Sequence, residues 1–289
     1  MFGKNSIAGR ATFRELEANQ LLVTSIFYTI QGEGPFSGEP ALFVRLAKCN
    51  LSCSFCDTFF DEGTVMTFDE IFSKAEETIT NWYKKENLPV PVTIRSSLGF
   101  YKILLVVTGG EPLLQSNLTG FCMEAEKRYY QTQIESNGIP YAQLPDATWF
   151  IVSPKCKEKA GVPVEYLKPS IQLLERANSL KFVMSSDLSS PYSKIPDWAL
   201  AWAESHKNEL YVSPMNIYND IPSRAKLLRA TKNEITMLER STVDEVISFW
   251  EPGLLNMEKN RLNHEYTAKY AMQHGLTLSL QTHLYASLA

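Results

Sequence analysis

Ile103-Leu-Leu-Val-Val-Thr-Gly-Gly-Glu-Pro112 decides the architecture. Five aliphatic residues run into Thr108 and two glycines, which reads as a strand buried on both faces that ends in a tight turn toward a helix. Outward from it, similar short runs recur at Leu21 to Tyr28, Ala41 to Leu46, Gln133 to Ser136, Thr148 to Val152, Leu180 to Met184, Leu210 to Ser213 and Leu276 to Gln281. Helix-length stretches separate them. The clearest opens with Thr67-x-x-Glu70, a capping box, and puts Phe68, Ile71, Phe72, Ala75, Ile79 and Trp82 on one face. Thr242-x-x-Glu245 opens a second, and Asn263 precedes a third that should stop near Gly275. This alternation predicts an α/β fold with right-handed crossovers and a mostly parallel sheet, open or curved into part of a barrel. Residues 61–101 and 217–261 carry no chemical motif and read as insertions on a smaller scaffold.

Composition narrows the function classes. The 289 residues, 44% hydrophobic and 21% charged, suffice for a buried core and argue against disorder. A net charge of −4 gives no surplus of Lys and Arg for a sequence-independent grip on nucleic acid, so no direct nucleic-acid binding is expected. No apolar run could span a bilayer, and MFGKNSIAGRATFRE lacks the apolar core of a secretion signal, so a cytoplasmic location is expected. Five cysteines, an odd number, suit a reducing interior better than a disulfide framework.

Three of those cysteines, Cys49, Cys53 and Cys56, stand at CxxxCxxC spacing with no histidine near them. A [4Fe–4S] cluster held by three thiolates leaves one iron open to bind and reduce something else. Zinc is the competing reading, since Asp57, Cys122 or Cys156 could complete a four-ligand site. Otherwise Cys122 and Cys156 read as small buried side chains. Gly109 and Gly110 would let a ligand approach the backbone at the strand's C-terminal edge, and Glu111 beside them can bind an ammonium group.

With Phe55 before the third cysteine and the Gly109-Gly-Glu111 element, the sequence resembles the radical S-adenosylmethionine (SAM) superfamily. The resemblance implies a partial, modified (β/α) barrel. It also implies a cluster on Cys49, Cys53 and Cys56 whose open iron chelates SAM, with the Gly-Gly-Glu segment on the methionine ammonium and Phe55 against the adenine. One-electron reduction would then cleave SAM to methionine and a 5′-deoxyadenosyl radical.

Further blocks are similar to the 7-carboxy-7-deazaguanine synthase family, of QueE type. They are Tyr28-Thr-Ile-Gln-Gly-Glu-Gly-Pro35, Phe43-Val-Arg45, Cys49-Asn-Leu51, Cys56-Asp-Thr58, Glu135-Ser-Asn-Gly138, Val152-Ser-Pro-Lys155, Leu180-Lys-Phe-Val183, Ser213-Pro-Met215 and Leu278-Ser-Leu-Gln-Thr-His283. In family order over nearly the whole chain, they imply a single domain, 1–289, and a homodimer. Ile30, Gln31, Gly32, Glu33, Arg45, Thr108, His283 and the terminal Ala289 would contact the pterin substrate. Ser136, Ser153, Pro154, Lys155, Ser213, Pro214, Met215 and Asn216 would join Phe55, Gly109, Gly110 and Glu111 around SAM, and Thr58 would bind Mg²⁺. The implied reaction turns 6-carboxy-5,6,7,8-tetrahydropterin into 7-carboxy-7-deazaguanine with loss of ammonia. An electron donor such as flavodoxin or ferredoxin would serve it.

The chain departs from the family pattern at Ser213, where Gln is usual, and at Ser136, where Thr is usual. Two competitors stand beside this reading. A radical SAM activase that makes a glycyl radical shares the cysteines and Gly-Gly-Glu, but has no use for Gln31-Gly-Glu33 with Arg45. A non-enzymatic zinc module would be colourless.

Overall fold

The computed structural model describes residues 6–91, 101–206, 209–218 and 255–288. In chain order the strands are β1 (Gln20–Ile30), β2 (Pro40–Leu46), β3 (Thr64–Thr67), β4 (Tyr101–Gly109), β5 (Tyr129–Ser136), β6 (Trp149–Val152), β7 (Cys156–Lys159), β8 (Val162–Tyr166), β9 (Ser179–Met184), β10 (Leu210–Pro214) and β11 (Thr277–Leu278). The helices are α1 (Phe68–Lys85), α2 (Leu118–Ala125), α3 (Ile171–Arg176), α4 (Asp197–His206), α5 (Met257–His274) and α6 (Thr282–Tyr285). Nine strands form one sheet in the order β11-β10-β9-β6-β5-β4-β2-β1-β3, and β7 and β8 form a separate hairpin. Pairing from β2 through β11 is parallel, whereas β1 runs antiparallel to both β2 and β3.

Parallel neighbours need crossovers, and α1, α2, α3 and α4 lie in the connections from β2 to β4, β4 to β5, β6 to β9 and β9 to β10. The helices bury against one face of the sheet. Leu42, Val44 and Leu46 of β2, Ile103, Leu105 and Val107 of β4, and Leu180, Phe182 and Met184 of β9 share a core there with Ile71, Phe72, Phe121, Leu173, Ala199, Trp202 and Tyr270. Because side chains alternate along a strand, the intervening positions Arg45, Thr108, Glu135, Ser153, Lys181 and Ser213 fall on the other face.

That second face is concave. The loop after β1 reaches to the segment after β11, where Gly34 N donates to Ser279 Oγ at 2.9 Å and Gly32 O accepts from Thr282 N at 3.2 Å. The two ends of the sheet are thus drawn together with no strand pairing across the gap, giving part of a barrel, open and not closed.

Local signals explain the element ends. Thr67 Oγ1 accepts from Glu70 N while Glu70 Oε2 accepts from Thr67 N, so the capping box fixes the start of α1. Gly275 ends α5 in the left-handed region, φ +65°, as expected of a C-terminal glycine. The start of α5 is a correction: it is capped by Asn256, seven residues before Asn263. Asn263 lies inside the helix, buried, accepting from Ser186 N and donating to Met215 O. The last strand is shorter than Leu276 to Gln281: Thr277 and Leu278 pair with Tyr211 and Val212 of β10, and Ser279 N adds a last bond to Val212 O. Residues 61–101 contribute β3 and α1, which packs into the main core, and the Thr242-x-x-Glu245 helix lies outside the described residues.

Candidate active site

At the C-terminal ends of the parallel strands, on the concave face, lies a cavity of about 190 Å³. A single water needs only ~10–15 Å³, so this space suits a sizeable ligand. Cys49, Cys53 and Cys56 line it from the loop after β2, together with Leu51, Phe55, Asp57 and Phe60. Opposite them stand Thr108, Gly110 and Glu111 of β4 and its turn, Glu135, Ser136 and Asn137 of β5 and its turn, and Ser153 and Lys155 after β6. Lys181 and Val183 of β9, Ser213, Pro214 and Asn216 of β10 and its turn, and Glu33 and Gln281 close it.

The two glycines also make room for the chain itself. A Cβ at Gly110 would sit 1.9 Å from Lys48 O, and one at Gly109, φ +111°, would lie 2.5 Å from Leu46 N and O. What comes close is therefore the chain's own backbone at the root of the cysteine loop. Lys48 adopts φ 71°, unusual for a non-glycine residue, and its carbonyl accepts from Glu111 N at 2.8 Å. Gln115, fully buried, ties the same root to β1 by accepting from Leu22 N and donating to Leu22 O and Ala47 O.

The cysteine loop is held at several points. Ser54, between the second and third cysteines, donates its N–H and hydroxyl to Glu158 of the β7–β8 hairpin. Phe55 packs edge-on against Tyr192, centroids 5.2 Å apart, and Asn137 donates to Asn50 Oδ1 at 2.8 Å. Gln281 donates to Asp57 Oδ2 at 3.3 Å and accepts from Asn216, joining the chain's last segment to the loop. Burial pushes the Cys53 thiol up to about 11 and Cys56 to about 12, and raises Cys49 as well. Among the described residues no three His, Cys, Asp or Glu side chains are drawn closely enough to hold a metal ion. Cys122 and Cys156 are buried, Cys122 in the main core and Cys156 beside Tyr192.

Glu111 is almost wholly buried, with Leu113 N and Ser136 Oγ donating to Oε1 and Asn137 N donating to Oε2. Burial outweighs these bonds and lifts its carboxyl to about 7. A cation arriving in the cavity would restore the anion. Ser213 Oγ is buried and has no hydrogen-bond partner among the described residues, and Lys155 Nζ donates to Ser153 O and Oγ. The residues present therefore fit the two groups the sequence implies: three soft sulfur donors for a cluster, and a carboxylate and a spare hydroxyl for SAM.

Of the implied pterin residues, Glu33 and Thr108 line the cavity. Gln31, buried, donates to Glu135 Oε1 at 3.0 Å. Gly32 leaves no room for a Cβ, which would meet His283 Nδ1 at 2.2 Å. Burial lowers His283 to about 4, with Asp57, Arg45, Lys181 and Glu135 all acting on it. Arg45 lies over the Phe27 ring, 4.7 Å from its centroid. Thr58 donates to Asp57 Oδ1 at 3.2 Å. Ile30, Gln31, Gly32, Arg45, Thr58, Gly109, Pro154, Met215 and His283 stand outside the wall itself, and Ala289 lies outside the described residues.

Sequence reasoning missed the centre of the floor. Lys181 Nζ donates to Glu33 Oε2 at 2.5 Å and to Glu135 Oε2 at 2.7 Å. The signal available was a lysine in the apolar run Leu180 to Val183, an expensive position unless paired.

No family model matches the chain. Among curated proteins, a 7-carboxy-7-deazaguanine synthase of Rickettsia prowazekii is 29% identical over 288 residues, 100% of this chain and 96% of the relative. Enzymes of the same name from Rhodospirillum rubrum and Escherichia coli K12 are 34% identical over 200 residues and 32% over 166, covering 68% and 56% of this chain and 71% of each relative. Among solved structures, QueE from Escherichia coli superposes with a TM-score of 0.50 at 19% identity, covering 94% of this chain and 98% of that one. That likeness concerns the fold.

Proposed function

The chain belongs to the 7-carboxy-7-deazaguanine synthase family, and from that membership we propose that it is a radical SAM lyase converting 6-carboxy-5,6,7,8-tetrahydropterin to 7-carboxy-7-deazaguanine with loss of ammonia. One observation carries the reading: the cysteine trio, Glu111 and the Glu33–Lys181–Glu135 group line the same cavity. Barrel enzymes place chemistry at this end of their strands.

Cys49, Cys53 and Cys56 would hold the cluster. Their raised thiols make bare thiolates unfavourable, so metal binding must drive off the protons. When bound, the cluster and SAM supply the electron and the hydrogen-abstracting radical. Glu111 takes the ammonium of SAM, and Ser136, Ser153, Lys155, Ser213 and Asn216 line its site, with Phe55 at the adenine. Gly110 and Pro214 form part of that wall, and Gly109, Pro154 and Met215 adjoin it in the chain. Thr58 offers Mg²⁺ a hydroxyl oxygen.

At the inner end Glu33 accepts from the pterin's amino and ring N–H groups, and Arg45 pairs with its carboxylate. Ile30, Gln31, Gly32, Thr108, His283 and Ala289 complete the pocket. Leu51, Phe60 and Val183 supply apolar lining to the cavity. The whole chain acts as one domain, as a homodimer, with residues 61–101 and 217–261 as insertions and a flavodoxin- or ferredoxin-like electron donor. Among the described residues no helix is long and apolar enough to cross a membrane.

The test is anaerobic reconstitution, then incubation with reductant, SAM, Mg²⁺ and the tetrahydropterin. The expected product is 7-carboxy-7-deazaguanine by mass spectrometry, with SAM recovered. SAM cleavage without deazapurine would instead indicate another radical SAM chemistry.

A further inference from the structure

Lys181 sits in the middle of β9, side chain 5% exposed, between two carboxylates 46 and 148 residues away in the chain. The two carboxylates are not equivalent. Glu135 is saturated by its own protein: Oε2 accepts from Lys181, and Oε1 accepts from Gln31 Nε2 at 3.0 Å and Gln133 Nε2 at 2.9 Å. Glu33 spends one oxygen, Oε2, on Lys181, while Oε1 takes no hydrogen bond from any described residue. Glu33 also arrives on a loop, beyond the end of β1, so nothing in the sheet ladder fixes its carboxylate.

We propose that Lys181 is a positioning residue: anchored on Glu135, its ammonium holds the carboxyl group of Glu33 in place, with one oxygen left to accept from an N–H-rich heterocycle edge. The inference rests on the pterin reading above and names what makes Glu33 competent for it. One cation between two anions leaves the floor with a net negative charge, which suits the cyclic amidine-like edge of a pterin and opposes a purely anionic ligand. Burial raises the Glu33 carboxyl, the neighbouring Glu135 and Asp57 charges add to that, and Lys181 opposes them. The other charges acting on this group are Lys155 after β6, Asp57 in the cysteine loop and His283 at α6, with Arg45 acting on His283 in turn.

The test uses cluster-reconstituted protein and pterin-6-carboxylic acid, an oxidised and non-reactive probe, with affinity read by fluorescence titration from pH 6 to 9. In Lys181→Met, Glu33 loses its cation and nothing offsets the upward push of burial on its carboxyl. The expected result is at least tenfold weaker probe binding at pH 7, recovering toward pH 9, with SAM affinity unchanged and with Lys181→Arg close to wild type. Lys181→Met/Glu135→Gln removes one charge of each sign, so it guards against a single variant that fails to fold, and it should show the same recovery with pH. Unchanged affinity in either folded variant, or a loss equal at every pH, overturns the role of Lys181 while leaving the pterin reading intact. Failure of the wild-type protein to bind the probe overturns the pterin reading and this inference with it.

Discussion

The two faces of the sheet are made by the same strands and obey different rules. On the helix-covered face, Leu105, Val107, Ile134, Phe150 and Phe182 are all buried among apolar neighbours. On the concave face, one residue along, stand Thr108, Glu135, Ser153, Lys181 and Ser213. The first face is held by area removed from water, whereas on the second the apolar cluster of Ala41, Leu104 and Val106 gives way at the cavity to hydrogen bonds and charge pairs. Stability should therefore reside on the helix side and chemistry on the concave side, so substitutions on the two faces should fail in different ways.

The largest effect is expected at the cysteines. Cys53→Ala should abolish both the visible absorbance of the cluster and turnover, yet leave the far-ultraviolet circular dichroism unchanged. Retained colour with full activity would remove Cys53 from the ligand set. Next, Gly110→Ala pushes a Cβ into Lys48 O, a backbone atom that cannot swing aside, so the root of the cysteine loop must shift. Iron content after reconstitution should fall severalfold and activity by about a hundredfold, as misplacement of ~1 Å commonly costs. Normal iron loading would show that the loop tolerates displacement.

Phe121→Ala probes the other face. Its ring is fully buried and stacks on Phe72, centroids 5.1 Å apart. Denaturant unfolding should show a loss of about 3–5 kcal/mol, while the KM for SAM in the folded fraction stays the same. A changed KM would mean that the two faces are coupled.

A smaller effect is expected at Glu111. Its folded pKa, about 7, stands above the ordinary 4.5, so the native state binds the proton more tightly. Its stabilising contribution is complete below pH 4.5 and disappears as pH rises to about 7, an order of 3 kcal/mol in the metal-free protein. Glu111→Gln should flatten that part of the stability-against-pH curve, and an unaltered slope would assign the titration elsewhere. Smallest is Gly120→Ala in α2, where the new Cβ would meet the Phe68 ring at an ordinary 3.5 Å. A gain of about 0.5–1 kcal/mol in unfolding free energy is expected, with activity unchanged. A loss would show that α2 has no space there.

The helix-packed face was the more legible one, because its information is local. Short apolar runs marked the strands, Thr67 and Glu70 announced α1, and Gly275 announced the end of α5. Where local rules failed, a distant partner had taken over the residue. Asn263 looks like a helix cap but serves Ser186 and Met215, whereas Asn256 caps the helix by accepting from Lys259 N. The cysteine trio and Glu111 were legible as motifs. Lys181 was not, since what gives it meaning is two carboxylates on other elements that only the curvature of the sheet brings to it. Nor did sequence reveal that Gly109 and Gly110 make room for the chain's own loop.

The central claim is that three cysteines of one loop hold a cluster whose open iron faces this cavity. Electron paramagnetic resonance of the reduced, anaerobically reconstituted protein, recorded without and with SAM, tests it directly. The account predicts a [4Fe–4S]⁺ signal whose g values move when SAM is added. A signal indifferent to SAM, or protein that takes up no cluster at all, would contradict it.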